Sequence, residues 1–175
     1  VEFMSALLTA EKNDVESIAF LIEETRTMGI EVLPPDLNES FSNFSVVPGK
    51  NQVRFGLLAI KNVGEGIVDA IIKERKSQGA YLSIQDFITR VHSKDLNKKS
   101  LESLIKAGVF DRFGERNQLI FNMDRLLEIA RENLKVQNGA QKSLFGTGSG
   151  APAFSLNPSV PATEHEKLIW EKELL

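Results

Sequence analysis

Apolar positions in the first thirty residues recur at helical spacing. Val1 to Thr9 reads as the tail of one helix, and NDVESIAFLIEETRTMG as a second. Asn13 is its expected N-cap, with Glu16 at capping-box distance. Val15, Ile18, Ala19 and Ile22 form the expected stripe, and Gly29 sits just past the end. IEVLPPD must be extended, because Pro34 and Pro35 exclude helix. FSNFSVV and QVRFG alternate as two short strands around the turn PGKN. From Leu57 the period becomes helical: LLAIKN is a short helix, and IVDAIIKERK a longer one with Ile67, Ala70 and Ile71 inward, stopped by Gly79. SIQDFITRV and KKSLESLIKAG continue the pattern, the latter ended by Gly108. One long helix is expected from about Asn117 to Val136, with Leu119, Ile120, Met123, Leu126, Leu127 and Ala130 on one side. Residues 138–163 are linker by composition, and EHEKLIWEKELL opens a last helix. The expected fold is mostly α, with a small β element near residues 41–56.

Composition narrows the chemistry. The chain has 175 residues, 42% of them hydrophobic, enough to bury a core. It contains no cysteine, which excludes disulfides and thiolate metal sites. His92 and His165 have no partner at ligand spacing, so no metal site is expected. No apolar run approaches the roughly 18 residues of a membrane span, and no signal peptide is visible. A cytoplasmic protein without membrane contact is the expectation, and the chain reads as a piece of something longer. Net charge is −3, yet it is unevenly spread. Residues 1–49 hold 2 basic and 9 acidic groups, whereas residues 50–116 hold 13 basic and 8 acidic. The middle third is a basic island in an acidic chain.

The most specific stretch in that island is AIKNVGEGIVDAIIKER. Gly64 and Gly66 flank Glu65 between two helices, with Val63 and Ile67 as apolar posts. So tight a hairpin calls for backbone angles that glycine supplies. Bare amides and the positive end of the following helix then make an anion site fit for a phosphate. Lys61, Asn62, Lys73, Arg75 and Lys76 surround it in sequence. The dinucleotide fingerprint fails, since Asp69 occupies its third glycine position, and no Gly-Lys-Ser/Thr follows for a Walker loop. A purely structural turn remains the plain alternative. LESLIKAGVFDRFG is a degenerate echo of the same pattern around Gly108. Two such hairpins would grip both strands of a duplex through phosphates, with Lys98, Lys99 and Lys106 lining the second half.

The hairpin resembles the helix-hairpin-helix motif of DNA-binding proteins. The strings VEFMSALLT, RTMGIEVLPPDLNES, VRFGLLAIKNVGEG and NKKSLESLIKAGVFDRFG, in this order, resemble landmarks of the bacterial DNA polymerase III alpha subunit family, and WEKELL resembles its approach to an oligonucleotide-binding domain. The resemblance implies that residues 1–50 end a fingers domain and that 51–116 form a tandem helix-hairpin-helix element holding duplex DNA. By the same resemblance 117–137 is a long helix, 138–163 a linker within the clamp-binding region, and 164–175 the lead into the next domain. It further implies a parent enzyme of DNA-templated synthesis, with two Mg2+ at palm aspartates. No Asp-x-Asp pattern occurs here, so no catalytic residue and no cofactor is expected in this chain. A non-catalytic helix-hairpin-helix repair adaptor and an error-prone paralogue are the alternatives.

The family's sliding-clamp peptide has the form Gln-x-Ser/Asp-Leu-Phe. Gln141, Ser143, Leu144 and Phe145 match it, with Lys142 at the permissive position. Leu144 and Phe145 stand in QNGAQKSLFGTGSG without an apolar neighbourhood of their own. Each is worth about 1.5–3 kcal/mol if fully buried in a partner's pocket, which after ordering costs corresponds to roughly micromolar affinity. The alternative is that they fold back on the long helix. Expected partners are duplex DNA, the sliding clamp and other polymerase III holoenzyme subunits, in the bacterial cytoplasm at the nucleoid.

Overall fold

The structure is a computed structural model that describes residues 1–12, 14–137 and 155–175; the stretch QKSLF at 141–145 lies outside the described residues. Two helices open the chain and pack on each other, α1 (Glu2–Ala10) and α2 (Val15–Thr27). The cap of α2 is Asp14, whose carboxylate accepts from the amides of Glu16 and Ser17; the expected cap, Asn13, is outside the described residues. A carboxylate here also meets the positive end of the helix, and the Ser17 amide and hydroxyl hold its pKa below the ordinary value. The inward face of α2 is rotated from the expected stripe. Ile18 and Leu21 are buried, whereas Ala19 is exposed.

Three short strands follow: β1 (Glu31–Leu33), β2 (Ser45–Val46) and β3 (Gln52–Arg54), in the order β1-β3-β2. β2 and β3 form the expected antiparallel hairpin, with Val46 opposite Val53. Its turn bonds the Lys50 amide to the Val47 carbonyl, and Gly49 at φ 72° after Pro48 is the type II pattern. The expected β element omitted β1, which pairs parallel to β3 through Val32 and Val53. The Pro-Pro step extends the chain, but only a partner 21 residues away makes it a strand. Past β3 the backbone crosses Asn43 so closely that a Cβ on Gly56 would lie 2.4 Å from its carbonyl carbon.

The helical body begins with a single 3-10 turn, Leu57–Ala59, where a short helix was expected. It continues through α3 (Glu65–Gln78), α4 (Ile84–Arg90), α5 (Lys98–Lys106), α6 (Arg116–Phe121), α7 (Met123–Gln137) and α8 (Glu164–Leu174). Gly79 at φ 83° ends α3 as expected. Ser83 caps α4 through the Asp86 amide, and Asn97 with Ser100 closes a capping box on α5. Ile67, Val68, Ile71, Phe87, Leu101, Leu104, Phe110, Leu119 and Leu126 join α1–α2 and the sheet in one apolar core. No helix among the described residues is long and apolar enough to cross a membrane.

The long helix expected over 117–136 is two helices broken at Asn122. Its apolar face is the expected one, with Leu119, Met123, Leu126, Leu127 and Ala130 all buried. The break has a cause elsewhere in the chain. The Asn122 amide donates to the carbonyls of Gln118 and Asn157, and its oxygen accepts from the Asn157 amide at 2.9 Å. Residues 155–163, expected as linker, are therefore docked against α6 and α7. Arg125 donates to the Ser155 carbonyl, and Glu115, which also caps α6, accepts from the Ala162 amide.

Candidate nucleic-acid interface

The first hairpin runs from the 3-10 turn into α3. Val63 closes it: its backbone N–H donates a hydrogen bond to the Ile60 carbonyl, and its side chain is buried away from any ligand. The left-handed residue is Asn62, at φ 66°, and neither glycine of the pair. Asparagine is among the few side chains that tolerate this region, and here its amide also donates to the Ser103 hydroxyl of α5. Gly64 is the N-cap of α3 in extended conformation, with no side-chain cap on the helix. The opening amides of α3 are thus left to water or a ligand. A Cβ on Gly64 would meet nothing within 4 Å, and residues 61, 62, 64, 65 and 66 are exposed.

Gly66 has a different reason to be glycine. A Cβ there would lie 1.9 Å from a carboxylate oxygen of Asp95, in the loop before α5. A Cβ there would displace this carboxylate, so packing against the loop, rather than approach of a ligand, favours the missing side chain. Asp95 escaped the sequence reading because nothing local links it to the hairpin. Glu65 is the exposed first residue of α3, compatible with a backbone-bound anion.

The lysines of the two halves do converge. Lys61, Asn62, Lys99 and Lys106 line one cleft of about 480 Å³, together with Glu102, Ser103, Glu173 and Leu174. Lys98 and Lys99 lie in the first turn of α5, which carries no acidic residue there. Cations at that end oppose the helix dipole, a placement that serves an external anion better than the helix. Lys106 pairs with Glu102 at 2.6 Å, whereas Lys98 pairs with Asp124 at 3.2 Å and stands outside the cleft. Lys73 is exposed on α3 without lining it.

Arg75 and Gly108 have structural duties instead. The Arg75 guanidinium donates to the Leu37 and Ser40 carbonyls and lies over the Phe41 ring, 5.5 Å from its centroid. Burial depresses its pKa, and it fastens the segment after β1 to α3. Gly108, at φ 85°, is a Schellman stop: its amide bonds the Ile105 carbonyl and that of Val109 the Leu104 carbonyl. It is buried, and a Cβ would lie 2.5 Å from the Arg116 Nη2 and 2.9 Å from Asp111. The second hairpin is therefore roofed by Arg116, itself only 5% exposed. Arg116 donates to Asp111, to Glu171 at 2.8 Å and to the Lys106 carbonyl. Burial works against its charge, but the Asp111 and Glu171 hydrogen bonds outweigh that and raise its pKa.

An uncapped, solvent-facing helix start behind a left-handed turn, in a basic setting, leaves amides that could accept an anion. A family model described as a helix-hairpin-helix motif matches residues 29–119. The chain belongs to the helix-hairpin-helix motif family. Its likeness to bacterial DNA polymerase III alpha subunits extends over its whole length. It is 42% identical to "DNA polymerase III subunit alpha" of Deinococcus radiodurans, covering 100% of this chain and 13% of that protein. The namesake of Thermus aquaticus is 41% identical (100% and 14%), and that of Campylobacter jejuni 40% (99% and 15%). The chain thus spans about a seventh of the length of these relatives, and the motif match takes in β1 to β3 as well as the hairpins.

Proposed function

We propose that this helix-hairpin-helix chain is the section of a replicative polymerase subunit that grips duplex DNA and docks on the sliding clamp. The observation that carries the DNA half is the open N-terminus of α3 at Gly64, beside the cleft of Lys61, Lys99 and Lys106. Backbone amides and lysines contact phosphate without reading bases, which suits an element that must follow any sequence. Lys73 lies further along α3 as an outlying charge. In the parent, DNA-templated synthesis would take place at palm carboxylates holding two Mg2+, and this section keeps the primer–template in place for it. Such a subunit works in the bacterial cytoplasm at the nucleoid, with the other holoenzyme subunits. Likeness to the alpha subunits across residues 1–50 as well favours this over a repair adaptor.

The clamp half rests on Gln141, Lys142, Ser143, Leu144 and Phe145 as a sequence. The chain on either side of that stretch is held, by α7 up to Gln137 and by the Asn122–Asn157 pairing. Contact of this sequence with a clamp on the same DNA is effectively intramolecular. The test is capture by a clamp ring together with retention on duplex DNA at low salt. Leu144→Ala with Phe145→Ala should abolish capture and leave helical circular dichroism and duplex retention unchanged. Persistent capture would end the clamp half, and absence of duplex retention in the unaltered chain would end the DNA half.

A further inference from the structure

The helix α8 touches both hairpins and supplies one wall of the lysine cleft. At the first hairpin the Lys61 amide donates to the Leu174 carbonyl at 3.0 Å. At the second, Glu171 accepts from Arg116, and the Lys106 ammonium lies 5.7 Å from the centre of the Trp170 ring. Glu173 and Leu174 line the cleft together with Lys61, Lys99 and Lys106. We propose that α8 is a displaceable latch along the lysine cleft beside the hairpin site, which duplex DNA loosens as its phosphate enters the cleft. This rests on the duplex-binding reading and assigns that site its regulation.

Two observations give the sign. The cleft contains two carboxylates, Glu102 and Glu173, and an arriving phosphate is repelled by both. It also draws on the cations that now serve α8, Lys106 above all. Little apolar surface holds α8: Leu174 is its one buried side chain, while Leu168 and Ile169 are 64% and 42% exposed. An eleven-residue helix released from its neighbours is marginal in water, so release and unfolding of α8 go together. Elements of low local stability are the ones that move when ligands bind.

Linkage makes the coupling reciprocal: if duplex loosens α8, loosening α8 must tighten duplex by the same factor. The experiment uses the 175-residue chain and a short fluorescein-labelled duplex of arbitrary sequence. Binding is read by anisotropy, and α8 by amide hydrogen exchange of residues 167–174. Saturating duplex should speed exchange in α8 by about fivefold or more. Glu171→Gln, which releases α8 from Arg116, should tighten duplex binding by a similar factor. Glu164→Gln removes the same charge at the far end of α8, where Glu164 pairs with Lys167, and should have a much smaller effect. Duplex binding with unchanged or slowed α8 exchange overturns the latch and spares the DNA reading. So does a Glu171→Gln effect that is absent, reversed or matched by Glu164→Gln. No duplex binding in the unaltered chain overturns both.

Discussion

The two hairpins look alike in sequence and have been closed to different degrees. The first ends in an open helix start, where a side chain on Gly64 would meet nothing. The second places its glycine beneath a buried arginine that joins Asp111, Glu171 and the Lys106 carbonyl. A glycine at a helix boundary therefore has at least three separate uses in this molecule. Gly64 leaves room outside, Gly66 leaves room for Asp95, and Gly108 adopts a left-handed backbone under a roof. Of the three, only Gly64 is spared for a ligand. The second hairpin contributes its lysines to the cleft rather than its own bare backbone.

The difference is broken most severely by Arg116→Met. Removing the guanidinium strips Lys106 of a donor and leaves two carboxylates without their cation. Because Asp111 and Glu171 are 51% and 36% exposed as side chains, they can rehydrate, and the expected loss is about 2–3 kcal/mol. Thermal unfolding should show it as a clear drop in Tm. An unchanged Tm would mean that the roof is ornamental.

A smaller effect separates Gly66 from Gly64. Gly66→Ala places a methyl against the Asp95 carboxylate, and Asp95→Ala removes the obstacle. A double-mutant cycle should return a coupling of about 1 kcal/mol in denaturant unfolding, whereas Gly64→Ala with Asp95→Ala should simply add. Coupling at neither position would show that Asp95 does not hold the first turn. The smallest effect concerns the lysines. Lys99→Ala should lower the slope of log affinity against log salt by about 0.9, and Lys98→Ala, which lies outside the cleft beside Asp124, should barely change it. Equal slopes for both variants would remove the distinction between cleft and periphery.

Much of this fold was legible because local rules sufficed. The buried face Leu119–Met123–Leu126–Leu127–Ala130, the Gly79 stop and the β2–β3 hairpin each follow from spacing and turn chemistry. What escaped depended on partners far along the chain. Asn122 lies in an unbroken apolar period, and only Asn157 makes it a break. Arg75 reads as one more cation in a basic run, until the Leu37 and Ser40 carbonyls claim it. β1 needs β3, and Gly66 needs Asp95. At the candidate site the helix start was visible in residue types, but the sequence put Lys61 with one hairpin and Lys99 and Lys106 with the other, and only the fold brings the three to one cleft. The left-handed turn was assigned to glycine although Asn62 carries it, since asparagine's tolerance of that region is a weaker signal than two glycines.

The most direct measurement is duplex affinity at low salt for Gly64→Val. Valine fits the extended backbone of this position and meets no neighbour in the folded chain, so Tm should not fall. Its branches would stand where a phosphate must approach the α3 amides, and the account predicts affinity about tenfold weaker, the loss of one charge-assisted hydrogen bond. Unchanged affinity at unchanged Tm would contradict it.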